Sequence, residues 1–267
     1  MLSDLDVGQF WTFGFIVLRN CLSIDEVESL GEAHDHVIAN APVYNYFAAN
    51  ETRMLSPFVQ AADCFGALIE HAGVMEAMRD IWGIECLYVA GSDMWANRDD
   101  TPWHTDGKPG RQTVTLKAAI YLDAQDKDTG ALNVIPGSHH PEFSAALFQS
   151  CGYWDNGRPR LRLDPHNIPG AVSLETRPGD VVLWDNRLWH SAFRRKDGQP
   201  RRTMFIGYMP HPQNNLLAIA DLRTTLRAHL NEKTPFVYSK DMMEKGGPAR
   251  EQMAARLEEL GVEGVKE

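Results

Sequence analysis

Cysteine is scarce in this sequence: the chain of 267 residues has four, and no two of them form a C-x-x-C pair. That scarcity argues against a disulfide framework and a zinc ribbon, so we interpret the four residues as reduced structural thiols. The chain also has no run of 18 apolar residues and no basic leader followed by an apolar stretch. We therefore expect neither a membrane span nor export, and the predicted location is the cytoplasm.

Positive charge is in short supply as well, because 26 Lys and Arg stand against 36 Asp and Glu and the formal net charge is -10. Nucleic acids and anionic membranes need a basic footprint, so we expect neither as a partner. No linker rich in Gly, Ser or Pro and no internal repeat divides the chain. One domain over residues 1–267 is expected, a small molecule is the expected partner, and the oligomeric state is left open.

Residues 86–210 contain a series of short runs rich in Val, Ile, Leu, Tyr and Trp, which turn residues separate from one another. This texture predicts a jelly roll, a sandwich or a barrel. Helical patterns predominate at 1–85 and 213–267, and a long helix is predicted after Ser23, which has Glu26 at the spacing of a capping box. The predicted fold class is α+β, mainly β, with flanking N- and C-terminal helices.

The stretch "TPWHTDGKPG", residues 101–110, has His104 and Asp106 two positions apart at the end of a predicted strand. Side chains alternate along a strand, so both are expected on the same side. With 10 His and 20 Asp in the chain, roughly 0.75 such triplets are expected by chance. The pair alone is therefore either half of a metal site or two polar residues on a strand edge.

A third ligand is needed for a metal site, and His190 in "WDNRLWHSAF" is the strongest candidate because it lies in a later predicted strand. Two imidazoles and one carboxylate on one face of iron(II) leave open positions, which is the ligand set of non-haem oxygenases. Arg201 begins the strand "RRTMFIGY" and is the candidate cation for a dicarboxylate cosubstrate. Arg202 is the alternative, because adjacent strand residues face opposite sides.

Four ordered motifs resemble the phytanoyl-CoA dioxygenase-like family of iron(II)- and 2-oxoglutarate-dependent oxygenases. They are "HTD" at 104–106, "DKDTGALNVIPGSH" at 126–139, "RPGDVVLWDNRLWHSA" at 177–192, and the following Arg201. The opening "FWTFGFIVLRNCLSIDEVESL" is similar to that family's N-terminus, so the resemblance covers most of residues 9–210.

The resemblance implies a double-stranded β-helix (jelly roll, cupin-like), with His104, Asp106 and His190 as the iron ligands and Arg201 binding 2-oxoglutarate. The implied reaction uses O2 to hydroxylate or desaturate a small molecule and converts 2-oxoglutarate to succinate and CO2. Related halogenases have Gly or Ala in place of the carboxylate, so an intact Asp106 argues against halogenation. Many members have Ser two positions after the distal His, where this chain has Ala; whether Ser191 replaces that hydroxyl is left open.

Two alternative functions would use the same three ligands: a non-catalytic jelly-roll binding module and a zinc hydrolase. Neither needs Arg201, which counts against both. His140 and Glu142 in "HHPE" form a second His-x-carboxylate pair. Because the pair follows "PGS" and contains a proline, we interpret it as part of a turn.

The basic residues within 187–202, together with "RPRLR" at 158–162, form a concentration of positive charge on an acidic chain. They indicate either an anionic substrate at the mouth of the site or solvated turns. Irregular segments at 41–62 and 141–170 are expected to cover the barrel mouth and to carry specificity. None of these features identifies the substrate.

Overall fold

Two antiparallel β-sheets of six strands each form the centre of the molecule. The structure is a computed structural model, which describes residues 1–40, 52–107, 113–163, 168, 170–230 and 234–267. The strands in these residues are β1 Phe15–Leu18, β2 Arg53–Leu55, β3 Cys86–Asn97, β4 Thr101–His104, β5 Leu116–Tyr121, β6 Leu132–Val134, β7 Gly152–Asp155, β8 Arg158–Leu161, β9 Val172–Leu174, β10 Val181–Asp185, β11 His190–Ala192 and β12 Arg201–Pro210. The helices are α1 Asp4–Phe13, α2 Ile24–Asn40, α3 Asp63–Leu68, α4 Ala72–Trp82, α5 Pro141–Cys151, α6 Leu216–His229, α7 Lys240–Glu244 and α8 Pro248–Glu259.

The strand order shows a double-stranded β-helix. One sheet, here called the major sheet, has the order β1-β10-β5-β12-β3-β2, and the minor sheet has the order β7-β8-β4-β11-β6-β9. Strands that are distant in sequence are therefore neighbours in both sheets. The predicted class, mainly β with flanking helices, is confirmed. The expectation of one domain stays a prediction, and it agrees with the contacts that helices from both ends of the chain make with β1 or β3.

The two faces of the major sheet bury different apolar groups, as the alternation of strand side chains requires. In β10, Val181 and Leu183 pack into the large core formed with the helices. Val182 and Trp184 face the minor sheet instead and pack with Leu132 of β6. Every residue of β10 is buried, which explains why Val181 to Trp184 form a continuous apolar run in the sequence.

The outer face of the minor sheet is covered by α5. Trp103 and Trp189 form a small apolar cluster with Leu161, and the ring of Phe148 stacks on Trp189 at a centroid distance of 6.4 Å. The outer face of the minor sheet is therefore covered and offers no cavity for a ligand at these residues. The opposite face of the minor sheet is the one that meets the major sheet, and the cavity described below lies there.

One local sequence pattern predicted the structure of its segment correctly, and two others did not. Ser23 and Glu26 form the expected capping box, since each donates its backbone N–H to the other's side chain. The expectation of an irregular segment at 41–62 is wrong in part: Arg53–Leu55 is an edge strand that pairs with β3, while 41–51 lie outside the described residues. The expectation of irregular structure at 141–170 is also wrong for residues 141–161, which form α5 and the hairpin β7–β8, whereas the expected role in specificity stays a prediction.

No helix among the described residues is long and apolar enough to cross a membrane.

The C-terminal helices are attached to the core by a buried ion pair. Arg250 of α8 is 2% exposed; its guanidinium pairs with Glu70 and donates to the backbone oxygen of Gly66 at 2.7 Å. Glu70 in turn accepts the backbone N–H of Arg250 at 3.0 Å. A buried carboxylate that loses such a partner is left with an uncompensated charge.

We predict that Arg250→Met lowers the free energy of unfolding by about 3 kcal/mol, because the Glu70 charge is then poorly compensated. Arg256→Met is the matched control: Arg256 pairs with Glu259 on the same helix, but at the surface, where such pairs contribute about 0.5 kcal/mol. Urea unfolding of the three proteins measures both values. Equal losses in the two variants would contradict the assignment.

Candidate metal and cosubstrate site

The pairing of β4 with β11 brings two histidines together. His104 and His190 are Cα partners in the register of these strands, and their ring centroids are 4.2 Å apart. His190 also pairs with Val134 of β6 on its other side. The two imidazoles are therefore fixed by the hydrogen bonds of the minor sheet, and no loop has to move to bring them together.

Each imidazole is oriented by a backbone carbonyl. Nδ1 of His104 lies 2.8 Å from the oxygen of Pro102, and Nδ1 of His190 lies 2.8 Å from the oxygen of Leu188. A carbonyl only accepts, so Nδ1 carries the proton and Nε2 of the neutral ring keeps its lone pair. Burial, reinforced by the neighbouring His190, lowers the pKa of His104 to about 3. His104 is therefore neutral at pH 7, as a metal ligand must be.

Asp106 completes the group from the loop that follows β4, so the sequence-based placement on a strand was wrong although the expected side was right. The backbone N–H groups of Asp106 and Gly107 both donate to the oxygen of Asn186, at 2.8 and 2.7 Å. A Cβ at Gly107 would lie 2.7 Å from the side chain of Arg187. Glycine therefore permits the close approach that holds this loop against the turn before β11.

The distances among the three side chains fit a metal ion. Asp106 Oδ1 lies 3.6 Å from Nε2 of His104, and its Oδ2 lies 3.5 Å from Nε2 of His190. Two ligand atoms about 2.1 Å from an ion, at an angle of about 90° to 110°, are roughly 3.0 to 3.4 Å apart. Among the described residues, His104, Asp106 and His190 form the one group of three or more His, Cys, Asp or Glu side chains that is compact enough to hold a metal ion.

Lys117 is a member of the site that the sequence reasoning missed. Its Nζ lies 2.7 Å from Oδ2 of Asp106. Burial alone would raise the pKa of Asp106, but the Lys117 ammonium holds it well below its usual range. Burial would likewise lower the pKa of Lys117, whereas Asp106 and Asp93 raise it. The available signal was a single lysine inside the otherwise apolar strand "LKAAIY".

The three side chains open into a cavity of about 490 Å³ between the sheets. Arg201 lines the same cavity and is 3% exposed. Its Nη2 donates to the backbone oxygen of Asp99 at 2.7 Å, while its buried Nε has no hydrogen-bond partner within the described residues. Arg202 faces away and is held by Asp123 and Asp35. Of the two arginines, Arg201 is the one that reaches the cavity.

Gly130 makes room for the Arg201 side chain. Its φ of +95° is in the left-handed region, and an added Cβ would overlap Cδ of Arg201 and lie 2.9 Å from the oxygen of Phe193. Both the backbone conformation and the contact therefore require glycine. This gives a physical reason for the glycine in "DTGALNVIPGSH".

Hydroxyl groups near Arg201 differ from the implied family pattern. Ala192 lines the cavity where a Ser was expected. The hydroxyl of Ser191 is buried and has no hydrogen-bond partner in the part of the chain that the structure describes. Thr203 lies two residues after Arg201 in β12 and lines the cavity as well.

The second His-x-carboxylate pair lies elsewhere. His140 precedes α5 as its N-cap residue and Glu142 is in the first turn of that helix. Neither lines the cavity with the proposed ligands. The interpretation of the pair as part of a turn is therefore wrong for Glu142, which lies in α5, while His140 ends the turn that precedes this helix.

Comparison with known proteins gives the family. The sequence model of the phytanoyl-CoA dioxygenase family matches residues 10–203. The chain belongs to this family. It is therefore an oxygenase of the kind that uses iron, 2-oxoglutarate and O2, as the resemblance implied.

Similar proteins include the ectoine dioxygenase of Sphingopyxis alaskensis, which is 23% identical over 237 residues, or 78% of this chain and 76% of the relative. Among solved structures, the epimerase SnoN in complex with Fe3+, alpha-ketoglutarate and nogalamycin RO has a TM-score of 0.64 at 17% identity, covering 82% of this chain and 88% of its own. The carbocyclase SnoK from nogalamycin biosynthesis has a TM-score of 0.62 at 21% identity, covering 79% and 85%. These likenesses support the double-stranded β-helix of this family member.

We predict that Gly130→Ala weakens binding of 2-oxoglutarate to the iron-loaded protein at least tenfold. The new methyl group displaces the Arg201 guanidinium, so its charge-assisted pair with the cosubstrate, which contributes about 1.5 kcal/mol or more, is lost. Anaerobic calorimetric titration measures the affinity.

Gly83→Ala is the control for this prediction. Gly83 has a φ of +67° but nothing within 4 Å of an added Cβ, so the variant shares the backbone strain and lacks the contact with Arg201. Wild-type affinity for 2-oxoglutarate in Gly130→Ala would show that Gly130 does not position Arg201.

Proposed function

We propose that the protein is an iron(II)- and 2-oxoglutarate-dependent dioxygenase that hydroxylates, or desaturates, a small molecule. The observation that carries the proposal is that two imidazoles, one carboxylate and the Arg201 guanidinium line one cavity. A binding module or a zinc hydrolase would use the first three groups but would have no need of a guanidinium for a dicarboxylate. Oxidation of the substrate is coupled to conversion of 2-oxoglutarate and O2 to succinate and CO2.

In this proposal His104, Asp106 and His190 hold the iron through two Nε2 atoms and one carboxylate oxygen. When bound, the iron supplies the oxidative chemistry that couples decarboxylation of 2-oxoglutarate to cleavage of a substrate C–H bond. The chain contributes the fixed direction of the ligands: the carbonyls of Pro102 and Leu188 orient the rings. Three ligands on one face leave the remaining positions to cosubstrate and O2.

Arg201 binds the distal carboxylate of 2-oxoglutarate. Its buried Nε lacks a partner within the described residues, and a carboxylate that pairs with it is shielded from water, which strengthens the charge-assisted hydrogen bond. Thr203 lies on the same face of β12, and we assign to its hydroxyl the contact that Ala192 cannot make. Tyr121 and Thr203 are Cα partners and border this end of the cosubstrate site.

Hydroxylation or desaturation, and not halogenation, is the outcome we propose because the carboxylate of Asp106 is intact. A halide ligand would need the position that this carboxylate fills. The relative named ectoine dioxygenase supports the same choice.

We predict that Asp106→Ala abolishes succinate formation, because two imidazoles alone hold iron(II) weakly and the third ligand position is lost. Asp106→Asn is the companion variant: it keeps the shape of the side chain next to Lys117 and removes the charge. Asp197→Ala, in an exposed turn where Asp197 pairs with Arg195, is the matched control and should keep wild-type turnover. The measurement is the amount of succinate formed after O2 is admitted. Near-normal turnover in both Asp106 variants would disprove the assignment of Asp106 as a metal ligand.

We predict that Arg201→Ala raises the concentration of 2-oxoglutarate needed for half-maximal succinate formation at least tenfold, since a charge-assisted pair worth roughly 1.5 to 3 kcal/mol is lost. Arg202→Ala is the neighbouring control, because Arg202 is held by Asp123 and Asp35 outside the cavity. Initial rates against 2-oxoglutarate concentration give both values. An effect confined to Arg202→Ala would mean that the wrong arginine has been assigned.

A further inference from the structure

We propose that the substrate carries an anionic group, a carboxylate or a phosphate, which Arg160 binds inside the cavity and Arg158 binds at its rim. The inference rests on the proposed function, because it names the substrate class of the same cavity. It follows from the hairpin β7–β8, which lies in a segment that was expected to be irregular and which carries the basic stretch "RPRLR".

A tight hairpin directs the two arginines into the cavity. Asn156 and Gly157 form its two-residue turn and both have positive φ, 48° and 75°, as a type I′ turn requires. Arg158 and Arg160 alternate with Leu161, whose side chain is buried in the apolar cluster on the other face of the minor sheet. Since strand side chains alternate, this burial fixes the direction of the two arginines, and both line the cavity.

Arg160 lies directly beside the proposed metal centre. β8 pairs with β4, and Arg160 is the Cα partner of His104. Across an antiparallel pair such partners are about 4.5 to 5.5 Å apart at Cα. An anion bound to Arg160 therefore lies within reach of the position where oxidation is expected, and the substrate is oriented by its charged end.

Part of the buried Arg160 guanidinium has no hydrogen-bond partner in the described stretches of the chain. Its side chain is 12% exposed and its nearest carboxylate, Asp155, lies 3.6 Å from Nε. Nε and Nη1 are both buried and have no hydrogen-bond partner within the described residues. Buried donors without acceptors are costly, and a carboxylate or phosphate offers the two acceptors that such a fork of N–H groups binds.

Within the described residues, the basic side chains of 187–202 other than Arg201 are paired with carboxylates. Ion pairs join Arg187 to Asp185, Arg194 to Asp100, Arg195 to Asp197, Lys196 to Asp128, and Arg202 to Asp123. In the cavity, Lys117 is paired with Asp106, and Arg201 is assigned to the cosubstrate. Arg158 has no ion pair among the described residues. Of the described lysines and arginines that line the cavity, Arg158 and Arg160 are therefore the two that are assigned neither to Asp106 nor to the cosubstrate.

The size of the cavity limits the part of the substrate that lies inside it. Its volume of about 490 Å³ must hold 2-oxoglutarate as well. Pockets that take a single drug-sized ligand are on the order of 300 to 1,000 Å³, so the anionic end of the substrate that enters beside 2-oxoglutarate is compact.

The test measures the affinity of the protein for anions in the absence of turnover. The protein is loaded with nickel(II) in place of iron(II), and 2-oxoglutarate is present at saturating concentration so that Arg201 is occupied. The probes are benzoate, hexanoate and phenyl phosphate, each compared by calorimetry with its neutral counterpart, benzamide, hexanamide or phenol. We expect at least one anion to bind at least tenfold more tightly than its neutral counterpart. We expect Arg160→Met to remove that preference, and Arg160→Lys, which keeps the charge but not the fork, to retain part of it.

Arg162→Met is the matched control, because Arg162 follows the same strand but its guanidinium lies 5.2 Å from the ring of Tyr153 and does not line the cavity. It should keep the preference for the anion. The proposal is overturned if no anion binds better than its neutral counterpart, or if Arg160→Met keeps the preference. It is also overturned if Arg160→Met loses affinity for 2-oxoglutarate and not for the probe, since Arg160 would then belong to the cosubstrate site.

Failure of the proposed function itself has a different signature. In that case 2-oxoglutarate does not bind to the metal-loaded wild-type protein, whatever the probes do. Direct titration of 2-oxoglutarate into the same samples separates the two outcomes. Which of the three anions binds most tightly distinguishes a carboxylate substrate from a phosphate ester.

Discussion

The backbone pairing of β4 with β11 is the constraint on which the rest of the site depends. It makes His104 and His190 direct neighbours, and the loop that leaves β4 returns Asp106 to the same point through two hydrogen bonds to Asn186. The flanking strand β8 then adds Arg160 next to His104. His104, His190 and Arg160 thus take their positions from the ladder of one sheet, which holds side chains more rigidly than a flexible loop does, and Asp106 is fixed by the backbone hydrogen bonds of its own loop.

The closed environment between the sheets determines the charges of the site. Burial keeps His104 neutral, which a metal ligand requires, but burial of Asp106 has to be offset by a cation. Lys117 provides it from the major sheet, so the metal ligands on one sheet are balanced by a charge on the other. Arg201 belongs to the same sheet as Lys117, and the proposed roles divide accordingly: the minor sheet holds the metal and the substrate anion, and the major sheet holds the cosubstrate.

The sequence was sufficient for the fold class and the family, and it selected His104, Asp106, His190 and Arg201, which the structure brings to one cavity, because their order and spacing form a motif that single residues do not. It was not sufficient for Lys117 or Arg160. Whether a lysine inside an apolar strand meets a carboxylate depends on which strand of the opposite sheet lies across from it, and local periodicity carries no such information. The hairpin β7–β8 did have a local signal in its Asn156-Gly157 turn, but its pairing with β4, which places Arg160 next to His104, joins segments that are distant in the sequence.

The central claim is that iron(II) and 2-oxoglutarate bind together at His104, Asp106, His190 and Arg201. The most direct measurement is an anaerobic titration of 2-oxoglutarate into the iron(II)-loaded protein, followed by the weak visible absorption band of the chelate and then by succinate after O2 is admitted. The account predicts a saturable band and slow succinate formation without added substrate, both of them lost in Asp106→Ala. Absence of the band at saturating 2-oxoglutarate in the iron-loaded wild-type protein would contradict it.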